Sequence, residues 1–403
     1  MNTNDLPQYP MRKSASCPFA PASESLELAA AAPLSKVRIW DGKTPWLVTD
    51  YAVARELFAD ARVSVDYRDP GFPHIHEGMK MLADGPRSMF NTDGSEHARY
   101  RRMLAKPFTP KRLDILRPMI QQHVDQHLDV MLAAGNSADL AEAFALPVPS
   151  TVICEMLGVP YDKHRFFQEH TEVGFSLTST PEEKQQSMVL LLGFLNELVA
   201  AKLEAPGEDA LSDLAEHVRA GELEVWEAAL QGLGMLVAGH ETTASMICLS
   251  VAALLQEPDK LALVRDAVEP KVLGNAIDEL LRYMSIVHSG VRRVALADIE
   301  IGGELIRAGD GIVVELPTAN WDPKVFDHPD QLDFSRSNAN AHIAFGHSRH
   351  ICIGLQLARI ELEIVLQTLF RRVPTLRLMK PLEELDFKFD GVVHGLHTLP
   401  VEW

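Results

Sequence analysis

Apolar residues recur at intervals of three and four along most of the chain, the spacing that gathers them on one side of an α-helix. This pattern fills residues 113–132, 181–203, 226–255, 260–268, 272–283 and 355–372. Alternation of apolar and polar residues, the pattern of a half-buried strand, is confined to residues 36–49 and 299–315, where glycines mark the turns. The sequence therefore predicts a mainly α protein, with one large α-rich domain and small peripheral β-sheets.

The 403 residues would allow two or three domains by length alone. No internal repeat and no linker rich in glycine, serine or proline divides the chain. We therefore predict a single domain over residues 26–403. Residues 1–25 are polar and contain four prolines, which predicts an arm that is mobile or draped over the surface.

Charge and cysteine content exclude several functional classes. Lysine and arginine number 38 against 56 acidic residues, a net charge of −18, which disfavours a nucleic-acid binder because it must neutralise phosphates. Four scattered cysteines without a CxxC pair disfavour a disulfide framework or a zinc ribbon. The longest uncharged stretch, residues 242–256, is shorter than the ~18–20 residues of a membrane span. We predict a cytoplasmic protein without nucleic-acid or membrane partners.

Residues 66–96 differ from their surroundings because glycines and prolines interrupt any helix there. A connection of this length inside a compact domain is usually functional or disordered. Its apolar members, which include Met81, Leu82 and Phe90, predict a lid over a binding site. The alternative is a surface loop packed against the core.

The predicted helix over residues 228–256 is apolar on nearly all sides except at the sequence AGHETT, residues 238–243. A helix apolar all round is normally the central element of a core, so polar side chains in its middle are costly unless they are bonded or useful. Thr242 can donate its hydroxyl to the carbonyl of Ala238, four residues back. The pair His240-Glu241 begins a zinc-protease HExxH, but Ala244 stands where the second histidine is required. Two interpretations of this polar sequence remain: a kink whose polar groups are hydrogen-bonded and have no chemical role, or a polar groove that takes part in catalysis.

Residues 345–354, with the sequence FGHSRHICIG, precede the predicted helix 355–372. Cys352 therefore lies just before a helix N-terminus, where the helix dipole and the positive Arg349 and His350 favour a thiolate. A lone cysteine is more often an inert core residue. A thiolate in this setting can also be the axial ligand of a haem iron.

This loop resembles the haem-binding loop of the cytochrome P450 family, FxxGx(H/R)xCxG, at Phe345, His350, Cys352 and Gly354, and departs from it at Ser348, where the family usually has glycine. The family's other motifs follow in order. Residues 238–243 are similar to its oxygen-binding motif (A/G)Gx(D/E)T(T/S). Glu279 and Arg282 resemble its ExxR pair, with Arg336 as the usual third member. Other ExxR matches exist, but only this one lies between the oxygen motif and the cysteine loop.

The resemblance covers essentially the whole chain and implies the cytochrome P450 fold with haem b bound through Cys352. It implies that the haem propionates are held by His97, Arg101, Arg293 and His350. His97 and Arg101 are four residues apart, so they would share one helix face. By position in the family, the substrate pocket would include residues 173–178 together with Met81, Leu82, Phe90, Leu233, Val237, Ala238, Gly290, Val291, Arg292, Val393 and His394.

The function implied is a monooxygenase that inserts one oxygen atom of O₂ into a C–H or C=C bond of a medium-sized hydrophobic substrate. Glu241 and Thr242 would relay protons, and electrons would come from a ferredoxin and its reductase. A basic patch of Arg99, Arg102, Lys106 and Arg349 would receive the ferredoxin. One alternative is a peroxide-driven or radical-coupling haem-thiolate oxidase; a more remote one is a non-catalytic haem-thiolate gas sensor.

Overall fold

The computed structural model describes residues 5–14, 16–81, 85–175, 179–389 and 391–403. The helices over these residues are α1 (Ser23–Ala31), α2 (Tyr51–Ala59), α3 (Glu77–Met81), α4 (Gly94–Met103), α5 (Pro110–Ala134), α6 (Pro147–Leu157), α7 (His164–Phe175), α8 (Pro181–Glu204), α9 (Ala210–Arg219), α10 (Val225–Leu254), α11 (Pro258–Asp266), α12 (Pro270–Met284), α13 (Leu316–Ala319) and α14 (Leu355–Arg372). The strands are β1 (Leu34–Lys36), β2 (Trp46–Val48), β3 (Val63–Ser64), β4 (Ser137–Asp139), β5 (Val291–Ala295), β6 (Ile299–Ile301), β7 (Glu304–Ile306), β8 (Gly311–Val314), β9 (Arg377–Leu378) and β10 (Pro400–Glu402).

Helix α10 forms the centre of the larger hydrophobic core and packs against α6, α8, α9 and α14. Its apolar residues point in all directions, so burial of the whole helix removes apolar surface from water on every side. Helices α8 and α10 are each long and apolar enough to cross a membrane. A helix buried in the core of a protein has the same length and hydropathy, and 72% of the apolar stretch of α10 is buried. The hydrophobic pattern of α10 is thus that of a core element.

The largest sheet has five strands in the order β1-β2-β8-β5-β3. Strand β2 runs parallel to β8, with Trp46 opposite Ile312, and the other pairs are antiparallel. A second core of aliphatic and aromatic residues lies between this sheet, α2 and α13. Strands β4, β10 and β9 form a second sheet, and β6 and β7 form a hairpin about two glycines. The mainly α fold with small sheets is confirmed.

The six helices predicted from periodicity are present within a few residues of the predicted ends, and α14 matches at both ends. The alternation over residues 36–49 predicts a first strand through Val37–Trp40, and this was wrong, since β1 ends at Lys36 and Arg38 forms only an isolated bridge with Gln8. Several other helices, among them α1, α2, α6, α7 and α9, were not predicted. Packing against the rest of the protein stabilises these helices, and the spacing of apolar residues along the sequence does not reveal that packing.

The described part of residues 1–25 is packed against the rest of the chain. Tyr9 is 1% exposed, and its backbone N–H donates to the carbonyl of Arg38 at 2.8 Å. The ammonium of Lys13 is buried and donates to the carbonyl of Ala20 at 3.0 Å, and burial lowers its pKa to about 8. The arm therefore drapes over the domain, while its division from the domain at residue 25 stays a prediction.

Candidate active site

The polar sequence in the middle of α10 does not interrupt the helix, which is continuous from Val225 to Leu254. The Thr242 hydroxyl donates to the carbonyl of Ala238 at 2.7 Å, as the sequence predicts. A side chain at Gly239 would meet Ile153 Cδ1 of α6 at 2.8 Å, so this glycine is required for close helix packing. Ala238 is exposed although most of α10 is buried, which places it on the wall of a cleft.

Glu241 is buried next to Thr242 along the chain but points elsewhere. Its Oε1 accepts a hydrogen bond from Lys388 Nζ at 2.6 Å, which joins α10 to the C-terminal part of the chain. Residues one apart on a helix point about 100° from each other. The acid and the alcohol therefore face different surroundings in this structure.

The cysteine loop holds Cys352 directly before α14, and the backbone amide of Cys352 donates to the carbonyl of Phe345 at 2.9 Å. Cys352 is accessible as a residue, but its thiol lies deep in the protein. Burial raises the pKa of the Cys352 thiol, while hydrogen bonds from the amides of Gly354 and Leu355 and the charge of Arg101 oppose this rise. The amides at the helix N-terminus favour a thiolate as predicted, but the favourable charge comes from Arg101 and not from the predicted Arg349 and His350, and burial raises the pKa by more than these groups lower it.

Ser348 adopts the left-handed conformation, with φ of +61°. This conformation suits glycine and costs other residues energy because Cβ approaches the neighbouring carbonyl. Gly346, two residues earlier, has φ of +76°. The family's usual glycine at the position of Ser348 thus has a backbone reason, and the serine carries strain.

A cluster of basic side chains borders this loop. The rings of His97 and His350 lie 4.1 Å apart between centroids, and His350 Nε2 donates to Asp93 Oδ1 at 2.9 Å. The pKa of His97 is lowered to about 4, first by burial and then by the neighbouring His350 and Arg101. The pKa of Asp93 falls to about 2 because hydrogen bonds from His350, Ser64 and the Val65 amide outweigh the effect of burial. His97, Arg101 and His350 are brought together by this arrangement.

Arg293, on β5, lies deep in the protein with its guanidinium 5.4 Å from the ring centre of Phe58, and burial lowers its pKa to about 10. Among the described residues neither Arg293 nor Arg101 forms an ion pair with a carboxylate. Buried cations without a counter-ion are costly. A haem fits this set of donors, because a thiol sulfur is available for iron and buried cations are available for two propionates.

Glu279, Arg282 and Arg336 form a buried network between α12 and the chain that leads to the cysteine loop. Arg282 donates to both carboxylate oxygens of Glu279, at 2.7 and 2.8 Å, and Arg336 Nε lies 3.1 Å from each of them. The remaining guanidinium N–H groups donate to backbone carbonyls such as that of Asn320. The structure brings the three residues together in a fully bonded buried cluster.

The residues predicted for the substrate pocket fall into two groups. Phe90, Val237, Ala238, Val291 and Arg292 are exposed or half-buried, whereas Leu233 and Val393 are buried. Gly290 has φ of +75° and adjoins Val313. Leu82 and residues 176–178 lie outside the described residues, as does the side chain of Met81. The pocket assignment as a whole stays a prediction.

The two polar residues of that set have specific positions. Arg292 Nη1 lies 2.9 Å from Met79 Sδ, in the segment predicted as a lid. His394 is fully buried, stacks on Phe387, and its Nε2 donates to the carbonyl of Pro18 in the N-terminal arm. The hydrogen bond to the N-terminal arm indicates that His394 has a structural role, while Arg292 lies next to the segment predicted as a lid.

Two residues of the site were not found from the sequence, namely Lys388 and Asp93. Lys388 meets Glu241 across 147 positions of the chain, and nothing in the sequence near residue 388 signals that contact. Asp93 lies at the N-cap position of α4, where an aspartate usually caps its own helix, yet its side chain makes no cap bond. Instead, His350, Ser64 and the Val65 amide use both carboxylate oxygens of Asp93.

Comparison with known proteins identifies the family. The family model described as Cytochrome P450 matches residues 196–384. The chain is 55% identical to "Cytochrome P450 CYP105Q4" of Mycobacterium marinum over 399 residues, which cover 99% of this chain and 96% of the relative. The crystal structure of GfsF, a cytochrome P450 of Streptomyces halstedii, superposes with a TM-score of 0.93 at 48% identity and covers 98% of this chain and 100% of that chain.

The mycinamicin VIII C21 methyl hydroxylase MycCI of Micromonospora griseorubida, in a structure bound to mycinamicin VIII, gives a TM-score of 0.92 at 38% identity, covering 99% of this chain and 100% of that chain. These relatives span nearly the full chain and share its fold. The cofactor of the family is a haem b whose iron is held by a cysteine, which here is Cys352. The chain therefore belongs to the cytochrome P450 family of haem-thiolate monooxygenases.

Proposed function

We propose that this enzyme inserts one oxygen atom of O₂ into a C–H or C=C bond of a medium-sized hydrophobic natural product, with electrons from a ferredoxin and its reductase. The observation that carries the proposal is the pair Glu241 and Thr242 on the central helix, beside the accessible Ala238. A peroxide-driven enzyme would not need an acid and an alcohol there. The haem, when bound, supplies the binding and activation of O₂.

In this proposal the side chains around the cleft have separate tasks. Cys352 holds the iron, and His97, Arg101, Arg293 and His350 neutralise the propionates. The Thr242 hydroxyl, already bonded to the Ala238 carbonyl, is oriented to hold a proton donor at the cleft wall. Glu241 supplies that hydroxyl with protons.

The substrate class is supported by the lining and by a relative. Phe90, Val237, Ala238 and Val291 are apolar and at least partly accessible, which suits a hydrophobic molecule. MycCI was crystallised with mycinamicin VIII. We propose that Arg292 binds a polar end of the substrate, since burial lowers its pKa and no carboxylate pairs with it among the described residues. An Arg292→Glu variant that binds every compound unchanged would remove this role.

For the electron donor we propose docking at the basic patch of the sequence analysis. Arg102 is exposed, whereas Arg99 donates to the carbonyl of Glu222 at 2.9 Å and Lys106 pairs with Asp213. On a protein of net charge −18, an exposed local cation is a suitable contact for an acidic ferredoxin. Reduction that is insensitive to Arg102→Glu and to salt would count against this docking site. We also propose a cytoplasmic location, where such a donor is available.

The function is tested with a compound library and with one variant. Binding is followed by the shift of the haem Soret band, and the product of a binder is then examined for label from ¹⁸O₂. Thr242→Ala should divert electrons into hydrogen peroxide and lower product per electron pair by roughly tenfold or more. Thr243→Ala is the matched control, because Thr243 also bonds back along α10, to the Gly239 carbonyl, but is buried. Full coupling in Thr242→Ala would contradict the proton-relay role.

A further inference from the structure

We propose that Tyr9, in the N-terminal arm, is a positioning residue for the substrate pocket and thereby determines which ligands the pocket accepts. This inference rests on the proposed function, in which Gly290, Val291 and Arg292 line the pocket and residues 66–96 form its lid. It adds a residue that lies outside the sequence motifs, in a part of the chain that the sequence presents as a polar arm.

The chain on both sides of Tyr9 is fixed to the domain. The Tyr9 amide donates to the carbonyl of Arg38 at 2.8 Å, and the Arg38 amide donates to the carbonyl of Pro7 at 2.8 Å. Two residues after Tyr9, the side chain of Met11 is buried, and its sulfur lies 3.1 Å from the hydroxyl oxygen of Ser25 in α1. The ring of Tyr9, which is 1% exposed, is therefore held at one place relative to the domain.

The hydroxyl of Tyr9 lies against the segment that enters the pocket strand β5. It donates to the carbonyl of His288 at 3.4 Å. A Cβ atom at Gly290 would lie 2.7 Å from the same oxygen and 2.3 Å from Cγ1 of Val313, and Gly290 has φ of +75°. Glycine is therefore the residue that lets the segment approach both Tyr9 and β8 so closely. The arm and the pocket segment meet in direct contact.

The same segment is bonded to the C-terminal part of the chain. His288 Nε2 donates to the carbonyl of Gly391 at 2.7 Å, and the Ser289 hydroxyl donates to the carbonyl of Val392 at 3.0 Å. The next residue, Val393, is also among those predicted to line the pocket. Loss of the contact with Tyr9 would therefore loosen two predicted pocket walls together, because they are hydrogen-bonded to each other.

The alternation of side chains along β5 places Arg292 on the same side of the sheet as Tyr9. Neighbouring residues of a strand point to opposite faces, and Arg293 points toward Phe58 in the second core. Arg292 is paired across the strands with Val313, which belongs with Tyr9 to a third buried cluster. Burial raises the pKa of Tyr9, and the positive charge of Arg292 opposes the rise. A protonated phenol thus borders the guanidinium that we propose as the contact for a polar end of the substrate.

The predicted lid reaches the same place. Ile75 is a buried member of the cluster that contains Tyr9, and Met79 packs against that cluster. The sulfur of Met79 also lies 2.9 Å from Arg292 Nη1. Tyr9 therefore belongs to the point where the arm, the lid and the pocket strands meet, and its size sets the spacing among them.

The hydroxyl of Tyr9 is better explained by the pocket than by the stability of the core. A buried hydroxyl costs free energy unless it forms a good hydrogen bond, and phenylalanine would fill the same apolar space without that cost. The bond to His288, at 3.4 Å, is longer than the typical ~2.7–2.8 Å of O–H···O bonds. Its contact with Gly290 and its place beside Arg292 are what phenylalanine would not reproduce.

The test uses the haem-loaded enzyme and two ligands that bind the haem iron through an imidazole nitrogen. Imidazole itself is small and needs little beyond the iron, whereas econazole carries aryl groups that contact the pocket walls. The red shift of the Soret band gives the Kd of each ligand, and the ratio of the two Kd values reports on the walls. A purely structural role of Tyr9 would lower the temperature of unfolding but leave this ratio unchanged, so thermal unfolding is measured alongside.

Tyr9→Phe should raise the Kd of econazole roughly threefold and Tyr9→Leu roughly tenfold, because a loosened wall must be ordered when the ligand binds. The Kd of imidazole should stay unchanged in both variants. Tyr51→Phe and Tyr51→Leu are the matched controls and should leave the ratio unchanged. Tyr51 is likewise a buried tyrosine whose hydroxyl donates to a backbone carbonyl, that of Ala341 at 2.6 Å, but it belongs to the second core. The thiolate-haem absorbance verifies that each variant is folded.

Val291→Ala separates this inference from the pocket assignment on which it rests. If Val291→Ala weakens econazole while both Tyr9 variants bind it like the wild type, the positioning role of Tyr9 is wrong and the pocket stands. If neither Val291→Ala nor the Tyr9 variants change the ratio, the pocket assignment is wrong and the role of Tyr9 falls with it. An equal loss for both ligands in the Tyr9 variants would also contradict the inference. None of these results depends on oxygen insertion, which Thr242→Ala tests separately.

Discussion

Asp93 and Glu241 are two partly or fully buried carboxylates with a basic partner from a distant part of the chain, yet their surroundings differ. Asp93 accepts hydrogen bonds from His350, from the Ser64 hydroxyl at 2.7 Å and from the Val65 amide at 2.9 Å. Glu241 has the Lys388 ammonium as its partner and otherwise faces a cavity. Several fixed partners make Asp93 part of the scaffold, whereas Glu241 has one ionic partner and open space beside it.

The largest effect should come from Cys352→Ser, which removes the proposed iron ligand from the cysteine loop that Asp93 contacts through His350. A hydroxyl does not replace a thiolate as the ligand of this haem, so the characteristic absorbance of the reduced carbon-monoxide complex should be lost completely. Cys17→Ser, at an exposed cysteine, is the control and should retain the absorbance. An unchanged spectrum in Cys352→Ser would refute the assignment of the ligand.

Glu279→Gln should cost about 3–5 kcal/mol in the free energy of unfolding, because it leaves two buried guanidinium groups without their carboxylate. Denaturant unfolding measures this cost. Glu241→Gln is the same chemical change at a carboxylate with one ionic partner, and it should cost less, because it leaves one partly accessible ammonium without its carboxylate instead of two buried guanidinium groups. Equal costs would break the distinction between scaffold and relay carboxylates.

Asp93→Asn should cost about 1–2 kcal/mol, because the amide cannot accept all three hydrogen bonds. The cost should depend on pH in a defined direction. The pKa of Asp93 is lowered from 3.8 to about 2 on folding, so its stabilisation is complete above pH 4 and is lost as pH falls toward 2. Acid unfolding of the wild type should therefore converge with that of the variant below pH 2. A constant difference at every pH would contradict this account.

The smallest effect should be a gain in the stability of the folded protein. Ser348→Gly should stabilise the protein by about 1 kcal/mol, because glycine adopts the left-handed conformation without strain. Thermal unfolding measures the gain. Ser348→Ala is the matched control, since alanine keeps Cβ and should give no comparable increase. A destabilised glycine variant would indicate that the serine side chain has a role beyond its backbone.

Features that depend on neighbours along the chain were readable from the sequence. The periodicity of α5, α8, α10 and α14 indicated their positions, because an amphipathic or wholly apolar helix repeats its pattern locally. The Thr242 bond to Ala238 follows from a four-residue spacing. The site motifs were readable for the same reason.

Contacts between distant segments were not readable. The period of a short helix such as α2 or α9 is too brief to separate from chance, and the buried N-terminal arm reads as an ordinary polar tail. Asp93 stands at the N-cap position of α4, yet its side chain bonds His350, 257 positions away, instead of the helix. In each case several local alternatives have similar energies, and long-range contacts decide among them.

By itself the sequence determined the helical class, the thiol at Cys352, the polar pair in an apolar helix and the position of Ser348 in the cysteine loop, because each depends on residue type and short spacing. Only the tertiary structure decided that Glu241 meets Lys388 at 2.6 Å and lines a cavity to which Thr242 does not contribute. The reason is physical. Spacing fixes directions along one helix, but what lies in each direction is set by segments that approach from more than a hundred residues away.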